Sequence, residues 1–282
     1  MDIAFDIMKW PLVACLLLPG ILVYYGLHIV KREIIFVDLA LAQVATLGTC
    51  LCLMLGHEAH DPHTYYWSVG FTLVGALIFT LTRSQKRHRV PQEALIGIVY
   101  VVAAAASILL LSRSTQGKEE LQRILVGDVL TVGWTQIWQA LVLYGVVGVI
   151  HFVFRRQFLA LSFEPERAAA EGLAVRWWDF LFYALFGIVV TSFVQVGGVL
   201  LVFSYLIVPA VCATFLAQRL GAMLLIGWLV ATGSGVAGLF VSYKMDLPTG
   251  AAIVCALGVA LLFVGWVAKL RGLPTAPGDG SK

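Results

Sequence analysis

Long apolar segments recur along this chain from one end to the other, and they constrain its fold more than any other feature. Several approach or exceed the roughly 18 to 20 residues that an α-helix needs to cross a bilayer. Only 12% of the 282 residues are charged, which is about half the fraction typical of soluble proteins. The sequence therefore predicts an all-α, polytopic membrane protein.

The apolar segments predict nine membrane spans. They are Pro11–Val30, Ile34–Gly56, Tyr65–Thr82, Ala94–Ser112, Gln136–Phe154, Asp179–Gln195, Gly197–Leu216, Met223–Tyr243 and Gly250–Ala268. Acidic residues precede the first span where a signal peptide would carry basic ones, so we expect that span to be retained. Residues 1–272 are expected to form one transmembrane domain, and residues 273–282 a flexible tail.

Basic residues are distributed unevenly between the two sides of this topology. Fourteen of the 19 Lys and Arg residues fall on the side that carries the C-terminus. Because cytoplasmic loops hold the excess of positive charge, we expect the N-terminus outside and the C-terminus inside a plasma (inner) membrane. The basic segment TRSQKRHRVPQE is interpreted as an orientation signal that faces anionic lipid, and not as a nucleic-acid site.

A loop on the predicted outer side gathers imidazoles and carboxylates. Its candidate metal ligands are His57, Glu58, His60, Asp61 and His63. These groups suit Zn²⁺ and other first-row divalent ions. The loop is either a mouth that receives metal or a solvated turn.

Polar side chains also occur inside the predicted spans, where they are costly and tend to face a cavity or a partner. Asp38 and Gln43 in span two are therefore predicted to line a translocation path. They are five positions apart, so on a regular helix their side chains point about 140° apart. Asp38 has an alternative role as a helix-start carboxylate. Gln195, beside a predicted break at Gly197, either lines the path or satisfies backbone groups that the break frees.

Four stretches together resemble the ABC-3 family, the membrane permeases of ABC importers for zinc, manganese and iron. They are KREIIFVDLALAQVATLG, QEALIGIVYVVAAAASILLLS with LQRILVGDVL after it, FEPERAAAEGLAVRWWDFLFYALFGIVV, and VQVGGVLLVFSYLIVPAVCATFLAQRLG continued by GLFVSYKMDLPTGAAIV. The resemblance implies a type II importer-like permease fold and a homodimer. It also implies a separate ATPase dimer, an extracytoplasmic metal-binding protein, and no bound cofactor besides the transported ion.

The resemblance also bears on the metal site. The stretch FVDLALAQVATLG is similar to the family's FVGDALSHAVLPG, in which an Asp and a His lie four residues apart. Aligned without gaps, those positions are Leu39 and Gln43, whereas deletion of the family's Gly matches Asp38 to the Asp and Ala42 to the His. The histidine is missing in both alignments, so zinc, manganese and iron(II) all stay open as cargo.

A second segment, residues 155–178, is the longest loop on the predicted cytoplasmic side. Its FEPERAAAEG resembles the family's F-[DE]-P-E-x-A-x-x-x-G pattern, matched at Phe163, Glu164, Pro165, Glu166, Ala168 and Gly172. Pro at the start and Gly at the end predict a short helix, in which the small residues Ala168 and Ala169 permit close approach. The resemblance implies a coupling helix that docks on the ATPase. The alternative is a surface helix that covers the ends of spans five and six.

The predicted function is that of a permease subunit of an ATP-driven importer for divalent metal ions. The chain has no GxxxxGK[ST] phosphate-binding loop, so ATP hydrolysis is assigned to a partner and the chain is not expected to be an enzyme. An ATP-independent secondary transporter or channel is the alternative, but it gives no reason for the coupling segment. An intramembrane metalloenzyme would need a ligand pair such as HExxH within a span, and none occurs.

Overall fold

A computed structural model describes residues 2–57, 61–83, 91–112, 127 and 129–272, without the side chains of residues 2–7, 62 and 169. Four predicted features lie wholly or largely outside these residues. They are the ligands Glu58 and His60, most of the basic segment TRSQKRHRVPQE, most of LQRILVGDVL, and the tail 273–282.

The described residues form ten α-helices. They are α1 (Asp2–Arg32), α2 (Val37–Met54), α3 (Pro62–Thr82), α4 (Gln92–Leu111), α5 (Trp134–Val153), α6 (Arg155–Phe163), α7 (Pro165–Ala170), α8 (Val175–Leu216), α9 (Leu220–Met245) and α10 (Thr249–Leu270). All but α6 and α7 are long and apolar enough to cross a membrane. The prediction of an all-helical polytopic membrane protein is thus confirmed.

Helix α8 contains the break that separates the sixth predicted span from the seventh. With 42 residues it would be about 63 Å long if straight, twice the thickness of a bilayer core. Gly198 departs from helical geometry with φ 72° and ψ 165°, a conformation essentially restricted to glycine. The chain folds back there, which brings the rings of Phe193 and Tyr205 to 6.2 Å.

The two ends of α8 lie near the same end of α1. Asp179, near the start of α8, contacts Arg32 at the C-terminus of α1. Ala213, near the end of α8, packs in one cluster with Leu27 of α1. Helix α8 therefore supplies two antiparallel segments, and the eight long helices provide the nine predicted spans.

Helix α8 is also the centre of the packing, because it contacts α1, α2, α3, α9 and α10. Large aromatic side chains along its first half, including Phe182, Phe186 and Phe193, are fully buried. Helix α5 is much more exposed, and only 28% of its most apolar stretch is buried. The scaffold is thus built on α8, while α5 lies against its edge.

The short helices α6 and α7 follow α5 and end in the predicted glycine stop. Gly172 has φ +74°, and the backbone N–H of Leu173 donates to the Ala168 carbonyl at 3.1 Å. These features are those of a glycine C-cap motif, which satisfies a free carbonyl and turns the chain sharply. The short helix predicted for FEPERAAAEG is therefore confirmed.

Candidate metal translocation path

A cavity of about 650 Å³ lies between α1, α2, α3, α5 and the first half of α8. Most of the polar side chains that line it are hydroxyls and amides, among them Thr46, Thr49, Ser68, Gln139, Thr191 and Gln195. Asp61, just before α3, also lines it. The cavity therefore opens toward the end of the helix bundle that carries the His57–His63 loop.

The described part of that loop brings two histidines near Asp61. Nδ1 of His57 lies 3.4 Å from the Asp61 carboxylate, and the rings of His57 and His63 are 5.4 Å apart. The Asp61 carboxylate accepts a hydrogen bond from the His63 backbone N–H, which lowers the pKa of the Asp61 carboxyl below its usual value. The same bond caps the N-terminus of α3.

A complete metal-ligand set is absent from the part of the chain that the structure describes. No three His, Cys, Asp or Glu side chains there are grouped so that they could hold a metal ion. Of the five predicted ligands, the described residues include His57, Asp61 and His63. Their contacts with one another suit a capped turn. Whether this loop receives metal remains a prediction.

Asp38 and Gln43 do not line the cavity, although both are buried in α2. Asp38 is 1% exposed, and neither carboxylate oxygen has a hydrogen-bond partner among the described residues. Helix α2 is regular between the two residues, so their side chains point about 140° apart and α2 does not aim both at one ion. A buried carboxylate without a partner is costly, which favours a missing cation or partner at Asp38.

Gln195 lies on the wall of the cavity, beside the break in α8. It is exposed on the cavity side of α8, three residues before the break at Gly198. No hydrogen bond joins its side chain to the described part of the protein. The geometry therefore fits a lining residue better than a group that satisfies broken backbone.

A buried polar cluster near the C-terminus of α1 was missed by sequence reasoning. The Asp179 carboxylate accepts from Arg32 at 3.0 Å and also from Arg83. Nε of Arg32 donates to the Ser162 hydroxyl of α6 at 2.7 Å, and that hydroxyl contacts Nδ1 of His28 at the same distance. The cluster joins α1, α6 and α8 to the end of α3.

A second buried contact fixes α5 to α1. The hydroxyls of Tyr24 and Tyr25 lie 3.0 and 2.9 Å from the two ring nitrogens of His151. One nitrogen of a neutral imidazole donates and the other accepts, so the two tyrosines satisfy both. This contact matters because α5 has little other buried surface.

Helix α7 presents a charged, exposed surface at the end of the bundle where α1 ends. Arg167 donates to Glu164 at 2.9 Å and to Glu171 at 2.8 Å. Ala168 is fully buried, whereas Glu166 is exposed. Phe163 is half-buried, and its ring lies 5.6 Å from the ring of His28. The predicted coupling residues therefore divide into an exposed charged face and an apolar anchor.

The cavity and α7 lie toward opposite ends of α1. Ala14 and Leu18, in the first half of α1, line the cavity with Asp61. Arg32, the last residue of α1, contacts Ser162 in the helix that precedes α7. An opening at one end and an exposed helical surface at the other suit a protein that carries solutes across a membrane.

Over most of its length the chain is similar to known membrane proteins of transport systems. The sequence is 27% identical to the manganese transport system membrane protein MntC of Listeria innocua, across 88% of this chain and 86% of that one. It is 29% identical to the chelated iron transport system membrane protein YfeD of Yersinia pestis, across 64% and 60%.

The fold is shared with a solved structure, PsaBC from Streptococcus pneumoniae in complex with Fab. The TM-score is 0.78 at 23% identity, and the match covers 95% of this chain and 96% of the other. The sequence profile of the ABC 3 transport family matches residues 4–268. The chain therefore belongs to the ABC 3 transport family.

Proposed function

We propose that this protein is the permease subunit of an ATP-driven importer for divalent metal ions. The observation that carries the proposal is the family match over residues 4–268. Relatives named for manganese and for chelated iron transport favour Mn²⁺ or Fe²⁺ as the cargo. The ATPase is a separate subunit, because the chain has no phosphate-binding loop.

The proposed pathway begins at the cavity and continues inward past α2. We place the cavity and the His57–His63 loop outside and α7 in the cytoplasm, as the excess of basic residues near α7 favours. Gln195 lines the outer part of this path. Asp38 and Gln43 are assigned to its deeper part, because the partnerless carboxylate of Asp38 would be stabilised by a passing cation.

The proposed subunit works with a second copy of itself. Helix α5 leaves large apolar side chains exposed, including Leu141, Val146 and Val149. Permeases of this family are expected to act as homodimers, and a second copy would complete the lining of the path. An extracytoplasmic binding protein would deliver the metal to the outer opening.

The proposed contact with the ATPase is α7 and the residues around it. A helix transmits motion only if it is attached firmly to the body that it moves. Phe163 packs against His28, and the neighbouring Ser162 binds Arg32, so α1 would move with α6 and α7. The exposed side chains Glu164, Pro165 and Glu166 are left to contact the partner, while Gly172 ends the helix.

Co-purification with the ATPase tests this assignment. Tagged permease, produced together with its ATPase and binding protein, should retain the ATPase through purification in detergent. Glu166→Arg reverses an exposed charge and should weaken retention without changing the melting temperature. Lys244→Glu is the matched control, because it also reverses an exposed charge and lies in the last turn of α9, at the end of the bundle away from α7. Full retention of the ATPase by the Glu166 variant would remove α7 from the contact, and no retention by wild type would count against the whole proposal.

A further inference from the structure

Three of the hydroxyl groups that line the cavity are held with their oxygen lone pairs free. The Thr46 hydroxyl donates to the Ala42 carbonyl at 2.9 Å, and the Ser68 hydroxyl donates to the Ala45 carbonyl at 3.2 Å. Each hydroxyl has one proton and two lone pairs. Because the proton of each is used by a backbone carbonyl, both side chains can only accept hydrogen bonds from a molecule in the cavity.

The Thr191 hydroxyl can also only accept hydrogen bonds from a molecule in the cavity, for a different reason. The Thr72 hydroxyl donates to the Ser68 carbonyl at 2.9 Å, so it has no second proton for the contact of 2.8 Å with the Thr191 hydroxyl. Thr191 must be the donor in that contact. Its oxygen is therefore also left as an acceptor.

The charged group on the cavity wall, the Asp61 carboxylate, is also a hydrogen-bond acceptor. Asp61 is the one carboxylate among the described residues that line the cavity, and no Lys, Arg or His side chain is found among them. An ionised carboxylate accepts hydrogen bonds only. An anion that contacts Thr46, Ser68, Thr191 and Asp61 would therefore meet only acceptors.

The cavity is much larger than a bare ion needs. First-row ions bind four to six ligands at about 2.0 to 2.2 Å, whereas this cavity measures about 650 Å³. An ion that keeps its water shell is roughly 7 Å across, from a metal–oxygen distance of about 2.1 Å and a water radius of about 1.4 Å. Such a complex fits, and every group on its outer surface is an O–H donor.

We propose that the cavity binds the divalent metal ion as its aqua complex, through hydrogen bonds from the coordinated waters to Thr46, Ser68, Thr191 and Asp61. This inference rests on the proposed metal transport. It adds that the ion enters the path fully hydrated and loses water only deeper in the protein. A metal carried as an anionic chelate is disfavoured by the same four groups.

Two exchange-inert cobalt(III) complexes distinguish these possibilities. Hexaamminecobalt(III) is a cation that presents N–H donors and cannot release its ligands, whereas hexacyanocobaltate(III) is an anion that presents acceptors. Vesicles that contain the complete transporter are given binding protein preloaded with Mn²⁺, and Mn²⁺ uptake is measured with each complex outside. We expect the hexaammine cation to inhibit uptake and the hexacyano anion to leave it unchanged.

A matched pair of variants assigns the inhibition to the cavity. Thr46→Val removes one acceptor from the wall and should weaken inhibition by the cation about threefold to tenfold, as for the loss of one ordinary hydrogen bond. Thr80→Val is the control: Thr80 is equally buried, donates to its own helix at the Ala76 carbonyl, and lies away from the cavity. It should leave inhibition unchanged.

Three outcomes would overturn the inference. They are no inhibition by the hexaammine cation, inhibition by the hexacyano anion of equal strength, and an equal loss of inhibition in the Thr46 and Thr80 variants. Mn²⁺ uptake without inhibitor is measured in the same vesicles. If that uptake is normal, any of these outcomes contradicts the hydrated-ion inference and leaves the proposed transport function intact.

Discussion

Substitution of Asp179 by Asn should destabilise the protein more than any comparable change at an exposed acid. The Asp179 side chain is 2% exposed, and its carboxylate is shared by Arg32 and Arg83. The Arg32 side chain is 3% exposed, so it cannot turn to water when its partner loses charge. Arg83 is 19% exposed and can reach solvent more easily, so most of the cost arises at Arg32.

The size of the effect follows from this burial. Removal of one partner from a buried ion pair typically costs about 3 to 5 kcal/mol. Asn keeps one oxygen that can accept from Arg32, and the Ser162 contact at 2.7 Å remains, which places the cost near the lower limit. About 3 kcal/mol in the free energy of unfolding corresponds to a shift of roughly 6 to 12 °C in melting temperature for a domain of this size.

Thermal unfolding of the purified permease in detergent measures the shift. Asp246→Asn is the matched control, because Asp246 is exposed at the end of α9 and Asn tolerates its left-handed backbone, φ 53°. The combined change Asp179→Leu with Arg32→Met should recover part of the loss, because it removes both charges. If Asp179→Asn and Asp246→Asn melt within about 1 °C of each other, the cluster is not the buried ion pair argued above.

Three further changes test other parts of the structure. Asp38→Asn should lower Mn²⁺ uptake at limiting metal by about tenfold or more while melting and ATPase retention stay normal, and normal uptake would remove Asp38 from the path. Gly198→Ala should lower the melting temperature, because the conformation at the α8 break costs a non-glycine residue about 1 to 3 kcal/mol. A melting temperature equal to that of wild type would contradict the reversal. A cysteine at Glu171 should react with an impermeant reagent only from the cytoplasmic side, and labelling only from outside would reverse the topology.

The helices and the break were predictable because they depend on local sequence. Apolar length alone placed the spans to within a few residues at most ends, as bilayer thickness fixes how long a span must be. The positive φ required at Gly198 was signalled by VQVGG, and the glycine stop at Gly172 by the alanine run before it. What the sequence could not show is how sharply the chain reverses at the break, so that both ends of α8 lie near the C-terminal end of α1.

The polar contacts depend on pairing between distant residues and were not predictable in the same way. Arg32 and Arg83 were interpreted as topology signals, because a count of basic residues does not show where each guanidinium points. Their partner Asp179 lies 147 residues from Arg32 and 96 residues from Arg83 in sequence. The position of Asp179 at the start of an apolar segment was a usable signal, since a charge there needs a partner once it is buried.

The sequence predicted which helices contribute to the candidate path but not most of the side chains that line it. Polar residues inside spans pointed to α2 and to the break in α8, and Gln195 does line the cavity. The hydroxyls of Thr46, Ser68 and Thr191 were missed, because threonine and serine in a span commonly bond their own helix and give no distinct pattern. Only the structure shows that three such residues meet on one wall.

The most direct test of the proposed function is metal uptake by the complete transporter. Permease, ATPase and binding protein are reconstituted in liposomes with ATP inside, and radioactive Mn²⁺ is supplied outside on the binding protein. We expect accumulation that requires both ATP and the binding protein, and that is lost when the ATPase carries a substitution of its phosphate-binding lysine. Equal accumulation without ATP, or with the inactive ATPase, would contradict an ATP-driven importer.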